Sequence, residues 1–166
     1  RRIAFIGGTM QAVCVSDRLL GARDAMASAG RDPESLLVFE TAGLRITEGL
    51  RAGAWLLSLP PNGRPSAAFC ANDLVALGLL QHLTQAGIDV PGDLAIVGYD
   101  DIEFAGAAAV PITSIRQPRE LLGHTAAELL LAETDAVEGH LHEQVVYRPQ
   151  LIVRTYSTRT RRSRSA

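Results

Sequence analysis

The sequence predicts an α/β fold, a parallel sheet flanked by helices on both faces. Two observations carry that prediction. Four short apolar runs read as buried parallel strands, and stretches of helical periodicity lie between them. Strand–helix alternation over four units implies right-handed crossovers that place helices on either side of one sheet.

Ile3-Ala4-Phe5-Ile6, closed by Gly7-Gly8, is the first strand. A helix follows over about 16–29, with Leu19, Ala22, Met26 and Ala29 at helical spacing and Gly30 where a left-handed cap belongs. Leu36-Leu37-Val38-Phe39 is the second strand. The second helix spans 47–59, with Leu50, Ala54 and Leu57 on one face, and Pro60-Pro61 stops it. Ala67-Ala68-Phe69-Cys70 is the third strand, and a helix over 72–86 ends at Gly87. That helix is apolar nearly all round, through Leu74, Val75, Leu77, Leu79, Leu80 and Leu83, so a second face should be buried against something. Leu94-Ala95-Ile96-Val97 is the fourth strand. Residues 112–115 are extended, and Pro118 opens a fourth helix running to about 133. Residues 138–143 form a polar loop, and 145–147 and 151–153 are further extended pieces. The tail, 158–166, carries four arginines among Ser and Thr and reads as disordered.

With 166 residues, the chain can bury one real core. Its 47% apolar and 20% charged content is that of a soluble globular protein. A net charge of -2 gives no basic excess to hold a phosphate backbone. No apolar run reaches the ~18 residues that a membrane span needs. Two distant cysteines, Cys14 and Cys70, make neither a disulfide framework nor a zinc pattern and fit a reducing compartment. The start lacks an initiator Met and is read as a cut inside a larger cytoplasmic protein, so the absence of a secretory signal there says little about the parent.

In open parallel sheets, ligands bind outside the carboxyl ends of the strands. Arg18, Asn72 and the pair Asp100-Asp101 fall at that edge. A guanidinium fork, an amide and a carboxylate can together hold vicinal hydroxyls or a small polar ring. The set lacks a nucleophile paired with a base, so no catalytic residue and no enzyme is expected. Each group also has a structural role open to it. Asn72 is a favoured helix N-cap, which is compatible with ligand contact. Asp100-Asp101 suits a turn that caps a short helical segment at Ile102. Arg18 could be a solvated helix residue. Gly7-Gly8 lacks the rest of a phosphate-loop motif. His140 and His142 have metal-like spacing but read as solvated, so neither a metal nor a cofactor is expected. Cys70 reads as core.

Six segments then match one family in order and spacing. They are Ile3 to Gly8, Arg18-Leu19-x-Gly21, Phe69 to Gly78, Val90-Pro91 through Gly98-Tyr99-Asp100-Asp101, Pro111 to Pro118, and Arg148-Pro149-x-Leu151-Ile152-Val153-Arg154. Up to about residue 157 the chain resembles LacI/GalR-type bacterial transcriptional regulators. The resemblance implies an incomplete two-lobe domain of the periplasmic-binding-protein type. Residues 1–111 would be its C-terminal lobe, 112–144 a crossover strand and helix that help to build the N-terminal lobe, and 145–157 strands returning to the first lobe. It implies a sugar, sugar phosphate or purine effector, held by Arg18, Asn72 and Asp100. Cys14 falls where a polar effector contact often sits, and Leu44 where members often carry a stacking aromatic. Both are departures from the family's pattern.

The resemblance further implies a homodimer that buries Leu74 and Leu77, and operator DNA contacted through a headpiece absent from this chain. The fourth long helix, with Leu121, Leu122, Leu129 and Leu130, is expected to pack on a second copy or to exchange with it. Two rivals remain: a sugar-binding protein of a transport system, and an α/β enzyme using Asp100 as a base.

Overall fold

The computed structural model describes residues 2–135 and 141–154. Six strands form one sheet in the order β2-β1-β3-β4-β5-β6. They are β1 (Ile3–Gly7), β2 (Leu37–Glu40), β3 (Ala67–Cys70), β4 (Ala95–Tyr99), β5 (Thr113–Arg116) and β6 (Gln150–Ile152). The first five run parallel, and β6 joins β5 antiparallel, so the sheet is mixed at one edge. The long helices are α1 (Val13–Ser28), α2 (Ile46–Ser58), α3 (Asp73–Gln85) and α5 (Arg119–Thr134), with a short α4 (Glu103–Ala107).

The strand order dictates the layers. The chain steps one way from β1 to β2, then back past β1 to β3 and on to β4. Right-handed crossovers in opposite directions put their helices on opposite faces. Ala4, Ile6, Ala68, Cys70 and Ile96 therefore pack with α2 and α3. Phe5 packs with Val15, Leu19 and Met26 of α1 on the other face. Phe5 and Phe69 meet edge to face there, with ring centroids 5.5 Å apart. The turning point of the strand order lies between β1 and β3, which is where such sheets leave a crevice.

Helix α1 begins at Val13, earlier than the sequence reading, and Gly30 closes it at φ 68°. Helix α2 departs more from expectation. Leu50 and Leu57 are only half-buried and Ala54 is exposed, while Gly49, Ala52, Gly53 and Leu56 form the buried face. The reason is the closeness of α2 to α3. A Cβ on Gly49 would lie 2.1 Å from the Val75 carbonyl oxygen, and one on Gly78 would lie 2.0 Å from that of Ile46. Two glycines let two backbones touch, and a leucine stripe could not. On α3 the sheet side takes Val75, Ala76, Leu79 and Leu83, while Leu74 and Leu77 are half-buried on the flank.

Helix α5 has no buried residue within this single chain. Residues 145–147 form no strand and lie beside it instead, with Tyr147 Oη 2.7 Å from Thr125 Oγ1. His142 pairs with Glu133 at 2.8 Å, and no group of three or more metal-ligating side chains occurs among the described residues. His140 and the basic tail lie outside them. Among the described residues no helix is long and apolar enough to cross a membrane.

The α2–α3 contact yields a stability test. Gly49→Ala and Gly78→Ala should each destabilise by about 2 kcal/mol through overpacking, although alanine is the better helix former by about 1 kcal/mol. Gly21→Ala on α1, with nothing within 4 Å of the added methyl, should stabilise by roughly 0.5–1 kcal/mol. Urea unfolding of the three variants checks the ranking, and equal effects would refute the close-contact reading.

Candidate functional site

The carboxyl ends of the strands gather four of the five predicted ligand residues into one connected strip. Asn72 Nδ2 donates to the Leu44 carbonyl at 3.0 Å. The next residue back along the chain, Ala71, offers its carbonyl to Arg18 Nη1. The other arm of Arg18 lies 4.0 Å from Asp100 Oδ1. Cys14 is exposed and sits one helical turn before Arg18, on the same side of α1.

Each member is held by local structure. Asn72 is the N-cap of α3, its Oδ1 accepting from the Val75 amide at 2.9 Å. The capping role is therefore real, and the amide of the same side chain fixes the loop that carries Leu44. Leu44 is half-buried and packs against both cores, over the end of β1. The Arg18 guanidinium lies 3.6 Å from the centroid of the Tyr99 ring, a cation–π contact that fixes its plane.

Asp100 sits on an unusual backbone. Its φ is 102°, and that of Asp101 is 50°, a region that L-residues seldom occupy. The Asp100 amide donates to the Ile115 carbonyl at 2.9 Å. Among the described residues its carboxylate has long contacts: Arg18 at 4.0 Å and Gln117 Nε2 at 3.5 Å. Burial pushes this carboxyl above the ordinary range, and Arg18, Gln117 and Arg119 pull it part of the way back.

Asp101 does not cap α4. The Ile102 amide donates instead to Asp73 Oδ2 at 2.9 Å. The Asp101 carboxylate faces inward, taking Arg116 Nε at 2.6 Å and Arg154 Nη2 at 2.7 Å. Burial raises its pKa, and the two guanidiniums outweigh burial, leaving the carboxyl below the usual range. Asp73, fully buried, accepts from Ser114 Oγ at 2.7 Å, and that hydroxyl accepts in turn from the Asp101 amide at 3.0 Å. Burial is the main reason the Asp73 carboxyl is raised; Ser114 and Ile102 oppose it, while Asp100 and Asp101 add to it. Gly98 is required beside this carboxylate, since a Cβ there would lie 2.0 Å from Asp73 Oδ1.

Residue chemistry alone does not single out Tyr99, Asp73 or Ser114. At the first position of α3, Asp73 looks like an ordinary helix-dipole acid. Its sequence signal is its place between an N-cap asparagine and a helix that is apolar nearly all round. Leu74 and Leu77 lie away from the strip. They line a concavity of about 620 Å³ with Ile46, Leu80, Phe104 and Val110, where Phe104 is 69% exposed.

The two buried aspartates respond to acid with opposite signs. Asp101, with its folded pKa lowered, contributes stability fully above its unfolded value near ~3.9 and loses it as pH falls through the folded value. Asp73, with its folded pKa raised, favours folding only when protonated. The stability gap between wild type and Asp101→Asn should therefore be full above about pH 4 and narrow below it. Urea denaturation across pH measures this, and a gap independent of pH would contradict the charge clamp.

Residues 1–156 match the model of the periplasmic binding protein-like domain. The HTH-type transcriptional repressor PurR of Vibrio campbellii is 34% identical over 154 residues, covering 92% of this chain and 44% of the relative. The ribose operon repressor of Escherichia coli K12 is 41% identical over 131 residues, covering 78% of this chain and 38% of the relative. The chain thus spans less than half the length of these curated relatives. Among solved structures, a LacI family transcriptional regulator from Enterococcus faecium with bound ribose superposes with a TM-score of 0.82 at 28% identity, covering 94% of this chain and 56% of that one. The transcriptional regulator CelR in complex with cellobiose gives 0.80 at 35% identity, covering 94% and 46%. By the span of the domain match and by these relatives, the chain belongs to the LacI/GalR family, as part of its periplasmic-binding-protein-like effector-binding domain.

Proposed function

We propose that the chain senses a sugar effector and dimerises, as part of a LacI-type transcriptional regulator acting in the cytoplasm without catalysis of its own. The observation that carries this reading is the strip at the turning point of the sheet, with Arg18, Asn72 and Asp100 in one connected line. The long contacts of Asp100 matter most. A sugar hydroxyl can replace a 3.5 Å or 4.0 Å partner without giving up a good hydrogen bond. Arg18, fixed on Tyr99, then donates to the same or a neighbouring oxygen.

Sugars are favoured over purines because a ribose-bound regulator and a cellobiose-bound regulator are similar to this chain over 94% of its length. Leu44 offers an apolar side chain but no ring to stack on. Ligand recognition then falls mainly on the hydrogen-bonding groups.

In this account the effector bridges two lobes and favours one relative orientation, to the extent of its differential affinity for the two states. A dimer through the face of Leu74 and Leu77 converts that orientation into the spacing of paired DNA-binding headpieces outside these 166 residues. The half-exposed apolar lining of that face, with exposed Phe104 beside it, supports the assignment.

Two measurements test these assignments. A thermal-shift panel of sugars, sugar phosphates and purines should show stabilisation by a sugar. A ligand at a hundred times its Kd adds about 2.7 kcal/mol, and Asp100→Ala should abolish the shift. A panel that leaves wild type unmoved, or a shift that survives Asp100→Ala, overturns the site. Leu74→Glu with Leu77→Glu should halve the mass in light scattering, whereas an unchanged mass rejects this dimer face.

A further inference from the structure

The Asp101 carboxylate is not available to a ligand. Its residue is 5% exposed, and both of its oxygens are committed to guanidiniums, one from the end of β5 and one from just beyond β6. Arg154 does more than pair with it. Its amide donates to Thr113 Oγ1 at 2.9 Å, and its Nη1 donates to the Ile112 carbonyl at 2.7 Å. The same arginine therefore staples the returning strand to the start of β5 and to the Asp101 turn.

Among the described residues, the backbone of Asp100 and Asp101 is also held from β5 or the residues just after it. Ile115 accepts the Asp100 amide, Ser114 accepts the Asp101 amide, and Arg119 Nη2 donates to the Asp101 carbonyl at 3.4 Å. Two successive non-glycine residues at positive φ do not hold that shape unaided. The surroundings must impose it, and the groups that impose it sit on the strands by which the chain leaves this lobe towards α5 and returns.

We propose that Asp101 is the positioning residue of the site: clamped by Arg116 and Arg154, it holds Asp100 in its left-handed backbone and ties it rigidly to the β5 and β6 strands. This rests on the effector reading of Asp100. It assigns the second aspartate of the pair a role that the first cannot fill. Asp100 meets the ligand, and Asp101 couples its position to the strands that carry the chain out of the lobe. A ligand that pulls on Asp100 pulls on those strands through two charge-assisted bonds and two bonds from the turn's backbone amides, and on the start of α5 through Arg119, a contiguous physical link.

The test uses Asp101→Asn and, because Arg116 is half-exposed and its change is milder, Arg116→Gln. Amide hydrogen exchange without ligand is the first arm. In both variants the Asp100 and Asp101 amides should exchange at least tenfold faster, while those of Phe5 and Phe69 stay within twofold of wild type. Exchange at Asp100 and Asp101 within twofold of wild type in both variants overturns the proposal. The second arm is calorimetric titration of the folded proteins with D-ribose at neutral pH. Asp101→Asn should weaken Kd at least tenfold, although Asp101 is out of the ligand's reach. A purely stabilising role would lower the unfolding midpoint and leave Kd within twofold, which would also overturn it. If wild type does not bind D-ribose, the ribose version of the effector reading fails, and the exchange arm alone decides the positioning claim.

Discussion

A buried carboxylate organises the carboxyl edge of this sheet. Asp73 has no exposed surface, yet it accepts from the Ile102 amide and from the Ser114 hydroxyl. Through Ser114 it reaches the Asp101 amide, and through Asp101 it reaches Arg116 and Arg154. One side chain at the start of α3 thus fixes the beginning of α4, the middle of β5 and the turn that carries Asp100. A polar group removed from water has to be satisfied, and in satisfying it the chain draws three elements to one point. Glycine at 98 follows from the same requirement, because any side chain there would occupy the space of the Asp73 oxygen.

The rest of the architecture places this network at a useful location. The strand order reverses at β1 and β3, where sheets of this kind leave a crevice, and α1 and the N-cap of α3 bring Arg18 and Asn72 there. The glycine contact between α2 and α3 keeps one face of the sheet compact, and it leaves Leu74 and Leu77 on the outer flank beside α4. Helix α5 is of another kind. None of its residues is buried.

Much of this was legible in the residues. Apolar runs such as Ile3 to Ile6 and Ala67 to Cys70 located their strands closely, because a strand buried on both faces has no other composition available. Gly30 and Gly87 marked helix ends through their backbone freedom, and both take positive φ. Arg18, Asn72 and Asp100 could be placed at one edge because the carboxyl edge of a parallel sheet is predictable once the strands are known. The buried face of α2 was misread for a physical reason. Leucine periodicity assumes that bulky groups face the core, whereas this interface is made by Gly49 and Gly53. The inward role of Asp101 and the structural role of Asp73 were invisible for a similar reason. Their partners Ser114, Arg116 and Arg154 are distant in sequence, and no local pattern announces a buried acid that pairs across the sheet. The piece at 145–147 has strand composition but lies beside α5, where no strand edge is offered to it.

The central claim is that a sugar binds across the carboxyl edge between β1, β3 and β4. Amide chemical-shift mapping of the isotopically labelled protein during a D-ribose titration tests it most directly. The account predicts saturable shifts concentrated at Arg18, Leu44, Asn72, Tyr99 and Asp100, spreading into β5 through Asp101. Shifts clustered instead around Leu74, Phe104 and Val110, or none at any ribose concentration, would contradict it.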